Sequence, residues 1–171
     1  MKQRLLRRSS MSSRAFTRVI LLMLFIPLLS GCEFDATPMD IRSLDKRTES
    51  NDALACAAGL CAVAADFESP AFAVSVEEFL TIAETVVVAE DRTKIVAKDK
   101  KLQQLVFVQR SRILRFPDTI WIQGVKTDTG TALIIYSRSN YGESDFGVNK
   151  RRVGEWLAKL TERIETRRTG G

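Results

Sequence analysis

Seven residues in the second half of the chain have the types and spacing to hold an anion: Arg110, Arg112, Asp118, Arg138, Ser144, Asp145 and Asn149. Arg110 and Arg112 stand two apart at the end of a strand-like run, so they share one face. Val106 and Val108 precede them on that face, which puts the arginines where the core gives out. Ser137 and Ser139 share one face of a later strand, Arg138 points to the other, and Asp118 opens the neighbouring strand. Gly142 and Gly147 permit a tight loop into a helix that begins near Asn149, an N-cap candidate. Loop amides, the helix N-terminus and the arginines together make an anion-binding arrangement. The same residues also fit a purely structural reading, in which Arg–Asp pairs and a capped loop fasten the sheet to the last helix. Ser144 and Lys150 supply the residue types of a Ser–Lys dyad, but six residues across a loop do not fix that geometry.

The chain contains no histidine. That removes Ser-His-Asp and Cys-His catalysis, histidine metal sites and imidazole proton shuttles. Three cysteines are present, Cys32, Cys56 and Cys61. Two thiols without histidine make a poor zinc site, so no metal and no cofactor is expected. Cys56 and Cys61 enclose four residues, a short ring suited to a structural disulfide outside the cytoplasm. Redox motifs space their cysteines by two residues, which this pair does not match.

The elements that must position these groups are an α+β set. Ser75-Val76-Glu77-Glu78 has capping-box spacing, and Val76, Phe79, Leu80, Ala83, Val86 and Val87 follow at helical period, which predicts a helix over 76–87. Residues 94–98, 102–112, 119–125 and 131–139 read as strands, with Asp128-Thr129-Gly130 as a hairpin turn. Val153, Trp156, Leu157, Leu160 and Ile164 lay an apolar stripe on a terminal helix. The expected fold is a two-layer α+β domain, a mostly antiparallel four-stranded sheet with two amphipathic helices on one face. Trp121 and Trp156 are expected in its core.

The run Tyr136-Ser137-Arg138-Ser139-Asn140-Tyr141-Gly142-Glu143-Ser144-Asp145-Phe146-Gly147-Val148-Asn149-Lys150-Arg151-Arg152-Val153 is too particular for a generic strand end and helix start. With Arg110-Ser111-Arg112-Ile113-Leu114-Arg115-Phe116-Pro117-Asp118, it resembles the domain-of-unknown-function family 1499, found in bacterial envelopes and plastids. The likeness covers roughly residues 56–165. Members often carry Asn before a cysteine and Val-Ser-Ser after it. Here Leu60-Cys61-Ala62-Val63-Ala64 lacks that amide and those hydroxyls. The resemblance brings no known activity.

Leu29-Ser30-Gly31-Cys32 closes an apolar run from Val19 to Leu29 and spells a lipobox. The run is of signal-peptide length and too short to span a bilayer. Residues 1–31 are therefore expected to be a cleaved lipoprotein signal, with the start at Met1 or Met11, and Cys32 the lipidated residue. Six of the 26 basic residues and none of the 21 acidic ones precede Cys32, which leaves 20 against 21, a net charge of −1. A near-neutral domain gives no electrostatic reason to bind nucleic acid. Residues 32–55 are polar and lack a sustained period, which predicts a flexible tether; 56–165 form the domain and 166–171 a frayed tail. Glu33, rather than Asp, follows the cysteine, which favours the outer membrane where the host has two. The leading expectation is a lipid-anchored envelope protein facing the periplasm that binds a small anion or an envelope partner without catalysis. The rivals are a carboxylate/arginine hydrolase and a pocketless envelope scaffold.

Overall fold

The computed structural model describes residues 34–169. Residues 1–33 and 170–171 lie outside the described part, so the expected signal segment, the lipobox and the lipidation expected at Cys32 lie outside it too. Among the described residues no helix is long and apolar enough to cross a membrane.

Seven strands form one sheet: β1 Asp52–Cys56, β2 Phe67–Glu68, β3 Ala71–Phe72, β4 Thr93–Asp99, β5 Gln104–Arg110, β6 Pro117–Thr127 and β7 Gly130–Ser139. Among the described residues two α-helices, α1 Val76–Val88 and α2 Val148–Thr169, accompany the sheet. The strand order is β2-β1-β7-β6-β5-β4, with β3 paired to the start of β7. The four strands expected from alternation form the contiguous antiparallel part, β4 to β7. The four-stranded expectation is corrected at the other edge. There β1 pairs antiparallel to the later half of β7 and parallel to β2, so the sheet is mixed. β2 and β3 are two residues each, too short to show a period, and every residue of β1 is buried, so it does not alternate.

Both helices cover one face. Phe79, Ile82, Ala83 and Val87 of α1 and Val153, Trp156, Leu160 and Ile164 of α2 pack on Leu105, Phe107, Ile120, Ile122, Leu133 and Ile135. Ser75 caps α1 by accepting the Glu78 amide at 3.1 Å, the capping-box bond its spacing predicts. α2 runs unbroken to Thr169, so the tail expected to fray from 166 carries its last turn.

The opposite face is covered by the segment expected to be a tether. Residues 34–44 lie across it as a strap, with one 3-10 turn at Ile41–Ser43. Ile41 is wholly buried against Trp121, Ile134 and Tyr136, with Met39 and Leu44 beside it. Alternate side chains of β6 hold the strap's backbone. Thr119 donates to the Asp35 carbonyl at 2.7 Å and Trp121 to that of Thr37 at 2.9 Å. Gln123 accepts the Ile41 amide at 3.3 Å. Gln104 of β5 both accepts from and donates to Met39. The tether reading over 32–55 is therefore corrected for its described residues, 34–55. A backbone that bonds to side chains instead of a ladder leaves no period in its own sequence. Cys56 and Cys61 are joined by a disulfide, Cα–Cα 6.4 Å, on this same face.

Candidate functional site

The charged residues singled out from the sequence do not converge. The sheet's pleat sends Asp118 to the helix face and Arg110 and Arg138 to the strap face, because side chains alternate along each strand. What the fold builds instead is one buried polar network on each side.

On the helix face the centre is Arg152, carried by the buried stripe of α2 beside Val153. Its Nη2 donates to Asp118 Oδ2 at 2.7 Å and its Nε to Gln109 Oε1 at 2.6 Å. Its Nη1 donates to Ser137 Oγ at 2.9 Å and to Asn149 Oδ1. Ser137 Oγ in turn donates to Asn149 Oδ1 at 2.6 Å, and Asn149 Nδ2 donates to the Asn51 carbonyl and to Ser139 Oγ. One guanidinium thus joins β5, β6 and β7 to α2. Asn149 is a member of this network and not the cap. Asp145 takes the capping role, accepting the Gly147 amide at 2.8 Å and the Asn149 amide at 2.6 Å. Gly142 and Gly147 both adopt positive φ, as the tight entry to α2 requires. Ser144 accepts the Phe146 amide and shows no bond to Lys150, whose ammonium reaches Asp66 at 3.3 Å.

On the strap face Arg47 fills the corresponding place. Its Nε and Nη2 donate to Asp52 Oδ1 at 2.9 and 2.8 Å, its Nη1 to the Ala64 carbonyl, and its Nη2 also to Asp66. Tyr136 donates its hydroxyl to Asp52 Oδ2 at 3.0 Å, and the Thr48 amide donates to the same oxygen. Burial pushes the Tyr136 phenol well above its ordinary value, and the neighbouring Asp52 charge adds to the effect. Burial would raise the Asp66 carboxyl, but the Leu54 amide and Arg47 outweigh it and hold the group below its usual range. Burial likewise opposes the charge on Arg47, and the bond to Asp52 leads the contacts that overcome this and hold the guanidinium's pKa above its ordinary value.

Arg138 and Arg110 lie at the end of the sheet where β5 and β7 finish. Arg138 pairs with Asp35 of the strap at 2.8 Å and lies over the Trp121 ring, 5.4 Å from its centroid. The Thr37 backbone amide, aided by Arg138, lowers the Asp35 carboxyl. Arg110 lies over Phe34 at 5.8 Å and donates to the Arg115 carbonyl at 3.0 Å. Arg112 is beyond the strand, exposed in the loop that joins β5 to β6.

Arg47, Asp52, Asp66, Tyr136 and Arg152 are the members that sequence reasoning missed. Arg152 left a signal, because a charged residue occupies a position of the helix's apolar stripe. Arg47 left none, since it sits in a stretch without period. A polar cleft of about 460 Å³ lies between the end of α1, the end of β5 and the first half of α2. Arg152 forms part of its lining, and Lys159 and Glu90 pair across it at 2.5 Å. The carboxyls of Asp35, Asp40 and Asp66 all lie below the usual carboxylate range, which suits standing negative charge and not proton donation near neutrality. Among the described residues no group of three acidic, cysteine or histidine side chains could hold a metal. No buried side-chain nitrogen or oxygen among them lacks a partner.

The model of a family described as "Protein of unknown function (DUF1499)" matches residues 36–160, most of the chain. No curated protein matches. Among solved structures, the crystal structure of protein MLL2253 from Mesorhizobium loti is similar at a TM-score of 0.40 and 12% identity, over 55% of this chain and 93% of that one.

Proposed function

We propose a reading that starts from the family, DUF1499, to which the chain belongs: a lipid-anchored cell-envelope protein that binds an envelope partner through its surface and performs no catalysis. The observation that carries the non-catalytic part is the closure of both charged networks. Arg152, Asp118 and Asn149 on one face, and Arg47 and Asp52 on the other, satisfy one another below the surface. A hydrolase needs a carboxylate held near a substrate with a proton to give or take, and an anion pocket needs a guanidinium with free donors facing a cleft. The buried arginines serve as fasteners between strands, strap and helix.

The anchoring part rests on Leu29-Ser30-Gly31-Cys32 behind its apolar run. Lipidation at Cys32 holds the domain on the periplasmic side of a membrane, with the outer membrane favoured by Glu33. The test is metabolic labelling with an alkynyl fatty acid. The exported chain should incorporate the label, and Cys32→Ser should abolish it and leave an uncut precursor. Equal labelling of the two would remove the anchor.

A further inference from the structure

The end of the sheet where β5 and β7 finish carries several exposed large apolar side chains. Ile113 is 85% exposed and Leu114 67%, both in the loop between β5 and β6. Phe116 of the same loop lies 5.9 Å from the Tyr141 ring, in the loop after β7, and Phe146 of that second loop is 94% exposed. Monomer surfaces scatter single apolar residues, but several large ones on two loops at one end of a sheet mark a contact surface. Basic residues are interleaved with them. Residues 104–117 contain Arg110, Arg112 and Arg115 and no acid, and Arg112 and Arg115 are exposed. The nearby acids Asp35, Asp91 and Asp145 are engaged by Arg138, Arg92 and the amides that open α2; Glu143 is exposed.

Two features select the occupant. Apolar side chains alternating with arginines match the boundary between acyl chains and anionic headgroups. The second feature is where the described chain begins. Phe34 is seated against Arg110 at this same pole, and Cys32 is two residues upstream. Two residues reach about 7 Å at full extension. Whatever is attached at Cys32 leaves the domain beside this loop.

We propose that the loop of residues 111–116, with Tyr141 and Phe146, is a membrane-docking surface that enters the interface of an anionic phospholipid bilayer and orients the domain on it. This rests on the anchoring at Cys32 for its orientation, and on the loop's own chemistry for its contact with lipid.

The test uses the full exported chain with one added indole as reporter. One sample carries Ile113→Trp, in the docking loop, and the other Thr129→Trp, in the hairpin at the opposite pole. Each is reconstituted with vesicles of phosphatidylethanolamine and phosphatidylglycerol containing a brominated fraction. Trp121 and Trp156 are buried and contribute a constant background. The mass of the N-terminal peptide reports acylation of Cys32 in the same samples. Docking predicts that the loop reporter is blue-shifted and quenched by bromolipid while the hairpin reporter is not. If the chain is acylated and vesicle-bound yet the loop reporter is quenched no more than the hairpin reporter, docking is overturned while the anchor stands. If Cys32 is free and the loop reporter is still quenched, the anchor fails and docking holds. With neither acylation nor quenching, both fall. A blue shift of the loop reporter that grows with protein concentration without vesicles would assign the loop to a second copy of the chain and overturn the proposal. In an unacylated chain that binds, Arg112→Ala should weaken partition about fivefold, as expected for one basic residue at an anionic surface.

Discussion

Arg152 and Arg112 are both arginines of the motif-bearing half of the chain, and their surroundings give them opposite consequences. Removing Arg152 leaves the Asp118 carboxylate without its ion-pair partner below the surface and Gln109 Oε1 without a donor, so Arg152→Ala should cost about 3–5 kcal/mol in denaturant unfolding. Arg112→Ala, at an exposed loop position, should fall within about 0.5 kcal/mol. The double variant Arg152→Met/Asp118→Leu should recover much of the loss, because removing both charges also removes their desolvation. A ligand site would behave differently, since Arg152→Ala would then leave stability nearly unchanged. The strap face makes a pH prediction. The Asp66 carboxyl lies below its ordinary value of 3.8 in the fold, so its contribution is complete above that value and lost as pH falls through the folded one. Asp66→Asn should therefore flatten the acid limb of a stability profile below about pH 4. Tyr136 works in the other direction: its phenol is raised, so its contribution is full below 10.0 and lost as pH climbs above it. Tyr136→Phe should flatten the alkaline limb. At this scale the sequence was a good guide to which residue types matter and a poor one to their grouping. Arg110, Asp118 and Arg138 are close in the sheet, yet the pleat puts Asp118 on the far side from the arginines.

Elements with a period were legible and elements without one were not. The helix capped by Ser75, the four strands from Thr93 to Ser139 and the stripe of α2 all repeat at 2 or 3.6 residues, and each appears within a few residues of where that repeat puts it. The strap and β1 have no such repeat. The strap is an irregular chain whose hydrogen bonds go to Thr119, Trp121, Gln123 and Gln104, so the pattern that fixes it lies on β5 and β6. That the strap is part of the core is testable: Ile41→Ala should cost about 2–5 kcal/mol, as for a buried aliphatic residue cut back to a methyl. A loss below about 0.5 kcal/mol, the level of a surface change, would return the segment to a tether. The disulfide that closes the loop after β1 spans a small ring. The double Cys56→Ala/Cys61→Ala variant should fold and lose about 2 kcal/mol, the loop-entropy value for so short a ring. Complete unfolding would mean that the bridge, and not the sheet, holds β1 in place.

At the scale of the molecule the strap changes what an anchor at Cys32 would do. A flexible tether over 32–55 would let the domain stand off a membrane by about 27 Å on average. With the chain fixed from Phe34 onward, the reach from a lipid at Cys32 would shrink to about 7 Å. An anchor of that reach would hold the domain against the bilayer by the proposed docking pole, which carries Arg110, Ile113, Leu114 and Phe146. The positive balance of the full chain comes from residues 1–31 and the remainder is near neutral, so on the proposed docking local arginines and not net charge would provide the attraction. The most direct measurement is neutron reflectometry of the acylated chain on a supported phosphatidylethanolamine/phosphatidylglycerol bilayer. Docking at this pole predicts a protein layer in contact with the headgroups, with no water layer thicker than about 7 Å between them. A resolved water gap near 27 Å, roughly the average span of a free tether, would contradict it.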